Sequence, residues 1–279
     1  MPRGQQPCLL RVFPRRTSHT PNDAMVFVGD PPMIRPAADE VHISVAFTWD
    51  IPAGQRLQQA WGQYYQQVLL GGPALGSPAD TFTPGRYIME GVTFTTRGCN
   101  LRCPWCLVPS REGRLALQDF PPGWIIQDNN LLQAPREHTE RVFDMLRQQR
   151  KAAIFSGGIQ ASLVTPWFAD LVKTIRVESM FLAADTKGAL KPLTKALDLL
   201  SFLGRNKLRS FVLIGFNGET IPEAVERLEA VWVAGAMPFA QLYQPPDRYI
   251  DYPRPWRALA REWSRPAVMK AMHPGTVQL

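Results

Sequence analysis

The feature that most constrains this chain is the run Thr96-Arg97-Gly98-Cys99-Asn100-Leu101-Arg102-Cys103-Pro104-Trp105-Cys106, with cysteines spaced C-x3-C-x2-C. Three thiolates on one short loop can hold three irons of a cubane cluster and leave the fourth iron free to bind a small molecule. Clusters that only carry electrons are held by four cysteines, so a missing ligand points to a reaction at the cluster. A structural zinc site is the alternative, and it is closed by four cysteine or histidine ligands. Cys8, His19, His42, His138 and His273 are the remaining candidates, and none adjoins the loop. A disulfide framework fits less well, because close cysteines in a large chain without a secretory segment read as metal-binding. Cys8 reads as a free thiol.

The 279 residues suffice for one large domain or two modest ones, and 45% hydrophobic content can furnish a sizeable core. No apolar run approaches the ~20 residues of a membrane helix. The opening residues 1–7 lack the apolar stretch of a signal peptide. The expectation is a cytoplasmic protein with no membrane partner. The net charge of +7 makes an anionic substrate or a nucleic acid a natural partner, alongside the plainer reading of a basic solvated surface. Arg102, Arg111 and Arg114 flank the loop, Arg11, Arg15 and Arg16 lie near the start, and Arg254, Arg257, Arg261, Arg265 and Lys270 recur in the tail.

From residue 92 the pattern predicts alternating strands and helices. Strands are expected at 92–96, 124–127, 152–155, 180–183, 211–214 and 239–243. Thr139, Val142, Phe143 and Leu146 mark one face of a helix over 135–151. Thr165-Pro166 opens another helix, Pro192 to Leu203 is a third, stopped by Gly204, and Thr220 with Glu223 forms a capping box. Six βα-type repeats imply a parallel sheet with helical crossovers, able to curl into a partial barrel. An open doubly wound sheet is the alternative, without a Gly-rich nucleotide fingerprint in its favour.

Polar residues and glycines gather after these strands: Asp128, Ser156-Gly157-Gly158, Asp185-Thr186, and Gly215 to Glu219, with Gln241 and Tyr243 on the last strand. Turn-making and helix capping explain each one singly. In parallel barrels, chemistry collects at the carboxyl ends of strands.

The cysteine loop and its lead-in, Gly91-Val92-Thr93-Phe94-Thr95-Thr96-Arg97-Gly98-Cys99, resemble those of radical S-adenosylmethionine (SAM) enzymes, and among them small phage-encoded proteins of unassigned substrate. The resemblance is specific over 90–112 and extends to about residue 244. It implies an α/β fold with a partial (β/α)6 TIM-like barrel over 91–244. Residues 1–90 would then be a small N-terminal α/β extension ending in a Pro/Gly linker (71–86), and 245–279 a C-terminal arm. In the extension, 41–48 and 53–70 read as one strand and one helix, and 1–40 lacks periodicity. Cys99, Cys103 and Cys106 would bind one [4Fe–4S] cluster and, through it, SAM. Ser156, Gly157 and Gly158 resemble the glycine pair whose backbone meets the methionine part of SAM. Ile159 and Gln160 follow where the family often has Glu, and the pair falls after the third predicted strand, not the second. Asp128 or Asp185 could supply the missing charge. Ile214 to Glu219 is similar to the fifth-strand motif that shapes the adenine pocket, with Gly215 and Glu219 its ends. Trp105 matches the aromatic position beside adenine, Asp185 and Thr186 could meet the ribose, and Gln241 could line the site. The implied partner is an external one-electron donor of flavodoxin or ferredoxin type. Only Cys8 remains for a second cluster, which argues against methylthiotransferase chemistry.

Two function classes follow. One is a radical SAM enzyme. The other is a metal-stabilised binding protein, with zinc or an iron–sulfur centre, that holds a nucleic acid and performs no radical chemistry.

Overall fold

The computed structural model describes residues 8–76 and 82–273. The expectations about the first seven residues, and about the middle of the linker, lie outside these. The fold is mixed α/β with parallel sheets and eight α-helices among the described residues. It divides into two compact units, 1–92 with 246–249, and 93–245 with 250–279.

The first unit holds strands β1 (Leu9–Phe13), β2 (Val26–Val28), β3 (Glu40–Ser44) and β4 (Val68–Gly71), with helix α1 (Ile51–Gly62) before β4. All pair in parallel in the order β2-β1-β3-β4. The unit is therefore a four-stranded sheet, where one strand and one helix were expected, and residues 9–28 are not aperiodic coil. Leu10, Val12, Val41 and Ile43 alternate onto one buried face and pack with Leu57 and Trp61 of α1. The other face is polar. Arg11 donates to the carbonyls of Gly85 (3.0 Å) and Arg86 (2.9 Å), and His42 Nδ1 lies 2.5 Å from the Tyr87 hydroxyl. An irregular segment thus covers the face where a parallel sheet normally carries a helix.

The second unit is built on a six-stranded sheet of order β12-β11-β10-β9-β8-β5. Its strands are β5 (Val92–Thr93), β8 (Ile125–Ile126), β9 (Ala153–Ile159), β10 (Val177–Ala183), β11 (Leu208–Ile214) and β12 (Met237–Leu242). From β8 to β12 every pairing is parallel. Helices α3 (Arg136–Arg147), α4 (Pro166–Lys173), α5 (Leu190–Leu199) and α6 (Ile221–Val233) fill the four crossovers between them. The β5-to-β8 connection instead carries the cysteine loop, a two-stranded antiparallel pair, β6 (Thr96–Arg97) with β7 (Ala116–Leu117), and the single turn α2 (Val108–Arg111).

The helix starts follow the residues. Thr165 accepts from the Phe168 N–H with Pro166 at the first position, and the Thr220–Glu223 capping box is closed in both directions. Phe155, Met180, Leu182, Val212 and Ile214 share one core with Val142, Phe143, Phe168, Leu193 and Leu228 of the helices. On the opposite sheet face Phe181, Phe211 and Phe239 are only partly buried; Phe181 and Phe211 stack at 4.7 Å, and Phe239 meets both edge-on at 5.8 Å. The expected C-terminal arm joins this unit: α7 (Arg254–Glu262) and α8 (Pro266–Met272) bury Leu259, Trp263 and Met269 in the same core. No helix among the described residues is long and apolar enough to cross a membrane.

Candidate functional site

The lead-in to the cysteine loop is anchored from below. Thr93, Thr95 and Thr96 are fully buried. Asp128, 1% exposed, accepts from the Thr95 N–H (2.6 Å) and hydroxyl (2.5 Å). Burial pushes its carboxyl up, against the opposing pull of those hydrogen bonds. Both oxygens are engaged by Thr95, so Asp128 braces the loop. His138 Nε2 reaches the same Thr95 hydroxyl at 3.2 Å, and burial lowers its pKa.

The loop is closed by Glu112, which joins Arg97 (2.6 Å), the Gly98 N–H (3.1 Å) and Asn129 Nδ2 (2.5 Å). Gly98 has φ +78°, and a Cβ there would stand 2.3 Å from the Arg114 carbonyl, so glycine is required. Cys106 N–H donates to the Cys103 carbonyl at 3.0 Å, forming a tight turn between them. All three thiols are partly exposed, whereas Cys8 lies in the other unit and is exposed. Burial first, then Cys106, Cys99 and Asp185, raises the Cys103 pKa. Burial likewise raises that of Cys106, with Cys99, Asp185 and Glu112 adding to it against the Val108 N–H. These interactions place the three thiols and Asp185 within electrostatic reach of one another. Among the described residues no three His, Cys, Asp or Glu side chains converge as ligands of a single ion. A cubane cluster takes each thiolate on a different iron, so three cysteines on one loop fit it by donor chemistry.

A polar set flanks Cys99. Asn130 Nδ2 lies 4.0 Å from its sulfur and donates to Gln160 Oε1 at 2.8 Å. Gln133 donates to the same oxygen and accepts from the Asn100 N–H at 2.8 Å. The buried Asn130 Oδ1 has no partner among the described residues. Gln160 stands just past the glycine pair, in the region where the resemblance expects an acid.

The remaining expected residues divide. Ser156, Gly157 and Gly158 lie inside β9, not after it. A Cβ on Gly157 would meet the Asp128 carbonyl oxygen at 1.9 Å, so this glycine is dictated by strand packing. Gly158, with φ +106°, faces the Phe211 ring, and Ser156 donates to Gln127 at 2.5 Å. Gly215 has φ +77°, and its close neighbour is the Tyr252 ring. The Tyr252 hydroxyl lies 2.9 Å from the Tyr243 carbonyl and 3.2 Å from that of Gly215, and its one proton serves either. Glu219 is turned inward, where it accepts from the Gly215 N–H and pairs with Arg227 at 2.5 Å. Arg227 also donates to the carbonyls of Leu213 (2.5 Å) and Asp185 (3.1 Å). Glu219 therefore shapes the turn after β11. Asp185 accepts from the Leu213 N–H at 2.9 Å, and burial raises its pKa despite Arg227 nearby. Thr186 and Gln241 are exposed. Trp105 meets Phe216 edge-on at 5.5 Å, and Phe216 meets Tyr243 at 4.9 Å. The last cysteine turn is thereby joined to the segment after β11.

Sequence reasoning missed Arg227 and Glu112, and named Gln160 only as a departure from the expected acid. Arg227 left a signal, since it sits with Ala224, Leu228 and Val231 on the apolar stripe of α6. A charge in that stripe must find partners.

Neither the family models nor the curated proteins compared with this chain give a match.

Proposed function

We propose that this chain is a radical SAM enzyme. The observation that carries the reading is the set Cys99, Cys103 and Cys106: three partly exposed thiols on one rigidly braced loop. The sheet supports it. The six strands run in sequential order with no reversal, whereas a doubly wound sheet reverses at a switch point. A parallel sheet of this order, with its helices packed on one face, is the pattern of a partial (β/α)6 barrel.

The three cysteines would hold a [4Fe–4S] cluster and leave one iron for SAM. When bound, that cluster supplies the single electron that cleaves SAM to methionine and a 5′-deoxyadenosyl radical, which abstracts hydrogen from the substrate. The chain's own residues position and shield the reactants. Gly158 keeps the β9 backbone bare beside the Phe211 ring, Asp185 offers a carboxyl near the cysteine turn, and Trp105, Phe216 and Tyr243 form an apolar wall suited to an adenine ring. Asn130, held by Gln160, puts an amide group beside Cys99. An external electron donor of flavodoxin or ferredoxin type, an anionic substrate and a cytoplasmic setting that keeps thiols reduced complete the reading.

The test is iron and sulfide analysis of the anaerobically purified full chain. About four irons and four sulfides per chain are expected, lost in Cys99→Ala, Cys103→Ala and Cys106→Ala and retained in Cys8→Ala. With reductant and SAM, the wild type should then release 5′-deoxyadenosine. Zinc without sulfide in the wild type, or full cluster in Cys103→Ala, would sink the proposal.

A further inference from the structure

The end of the six-stranded sheet opposite the cysteine loop has its own organisation. Three successive helix-to-strand turns arrive there, before β9, β10 and β11. Each brings basic residues: Arg150 and Lys151, then Arg176, then Arg205 and Lys207. A cavity of about 470 Å³ opens at these strand starts, with Lys173, Arg176 and Lys207 on its walls and no carboxylate among its lining residues. Val172 and Ile175 line it with apolar surface, beside Phe202, whose ring is 45% exposed. Lys173 lies 5.5 Å from that ring and pairs with the exposed Asp170 of its own helix. Arg176 is held by the Arg150 carbonyl, and neither it nor Lys207 has an ion pair among the described residues. Folding gains nothing from setting two cations without an ion pair, Arg176 and Lys207, beside an apolar hollow. Such a hollow focuses positive potential and selects an anion.

We propose that this cavity and the flanking turns bind a single-stranded nucleic acid. Phosphates would meet Arg176, Lys207 and Lys173, and a base would stack on Phe202. An isolated phosphate would need one cationic point, but here the cations span three turns. An exposed phenyl ring beside them gives a base a flat partner, as in channels that hold single strands without reading sequence. The inference concerns only this end of the sheet and does not depend on the radical SAM reading.

The experiment is fluorescence anisotropy of a fluorescein-labelled oligo(dT) strand with the full chain, over about 50–200 mM salt. Arg176→Glu with Lys207→Glu should abolish binding. Lys191→Glu with Lys195→Glu, the same charge change at two exposed lysines of a separate hollow, should leave most of it. Arg176→Ala with Lys207→Ala, which strains the fold less, should lower the slope of log affinity against log salt by about 1.4, or 0.7 per lost phosphate contact. Phe202→Ala should weaken binding about fivefold or more. Equal losses in both charge-reversal pairs, no binding by the wild type, or displacement of the strand by inorganic phosphate or a poly-glutamate peptide as readily as by unlabelled oligo(dT), would overturn the proposal.

Discussion

The two sheets obey the same parallel geometry and solve the crossover problem differently. In the six-stranded sheet, β8 to β12 are joined by four helices, and each helix buries one face of the strands. In the four-stranded sheet only the β3-to-β4 crossover has an α-helix, and the order turns back on itself around β1. Arg11, His42 and the segment 85–87 cover its second face with polar contacts. The same trade appears once in the larger sheet. Its β5-to-β8 crossover gives up a covering helix and carries the cysteines. A crossover released from packing can hold chemistry, provided polar anchors such as Asp128 and Glu112 replace the missing helix.

If the two cores are separate, each should fail alone. Trp61→Ala and Phe143→Ala each remove a fully buried ring, and each should cost about 3–5 kcal/mol. Hydrogen exchange should show Trp61→Ala loosening β1, β3 and α1 while β9 to β11 keep their protection, with the reverse for Phe143→Ala. Loss of protection throughout both units from either change would break the comparison.

Each unit also relies on one arginine to tie irregular backbone to its sheet, and these should differ in weight. Arg227 and its partner Glu219 have side chains only 7% and 13% exposed. Arg227→Met strands a mostly buried carboxylate and should cost about 3 kcal/mol or more. Arg11 pairs with Asp23, whose side chain is 46% exposed, so Arg11→Met leaves the carboxylate to water. It should cost about 1–2 kcal/mol, chiefly through the lost carbonyl contacts of Gly85 and Arg86. Urea unfolding of both variants measures the pair, and a larger loss from Arg11→Met would invert the ranking.

What could be read in advance follows the same divide. The larger sheet announced itself because each helix carries an apolar stripe, and two of them a capping residue at the start, Thr165 and Thr220. The smaller sheet stayed hidden because its strands interleave Arg11, Glu40 and His42 with the apolar residues, and its first two crossovers have no periodic helix to frame them. In the site, the cysteine spacing carries the reading by itself, because all three thiols sit on one short loop. The rim was harder. Asp128, Gly157 and Gly215 are residue types that a cofactor could use, yet each is committed to a neighbour far away in sequence: Thr95, Asp128 and Tyr252. No local pattern foretells such a partner.

The smallest expected effect tests the anchor under the cysteine loop, and it is read from its pH dependence. Burial holds the Asp128 pKa above its ordinary 3.8. The folded state therefore binds this proton more tightly than the unfolded chain. The resulting stabilisation is complete below pH 3.8 and is lost as pH rises through the raised folded value. Asp128→Asn keeps an oxygen for the Thr95 N–H but carries no charge at any pH. Its new N–H₂ would donate to the Thr95 hydroxyl, which must then find an acceptor. His138 can supply one: it is buried, its pKa is lowered, and Nε2 is already 3.2 Å away. The imidazole proton would move to Nδ1, an atom without a partner among the described residues, and that cost keeps the net change small. Asp128→Asn should therefore gain on the wild type in melting temperature as pH rises from about 4 to 7, because it escapes the penalty of charging a buried carboxyl. A constant difference over that range would mean that Asp128 is not the group whose burial the loop must offset.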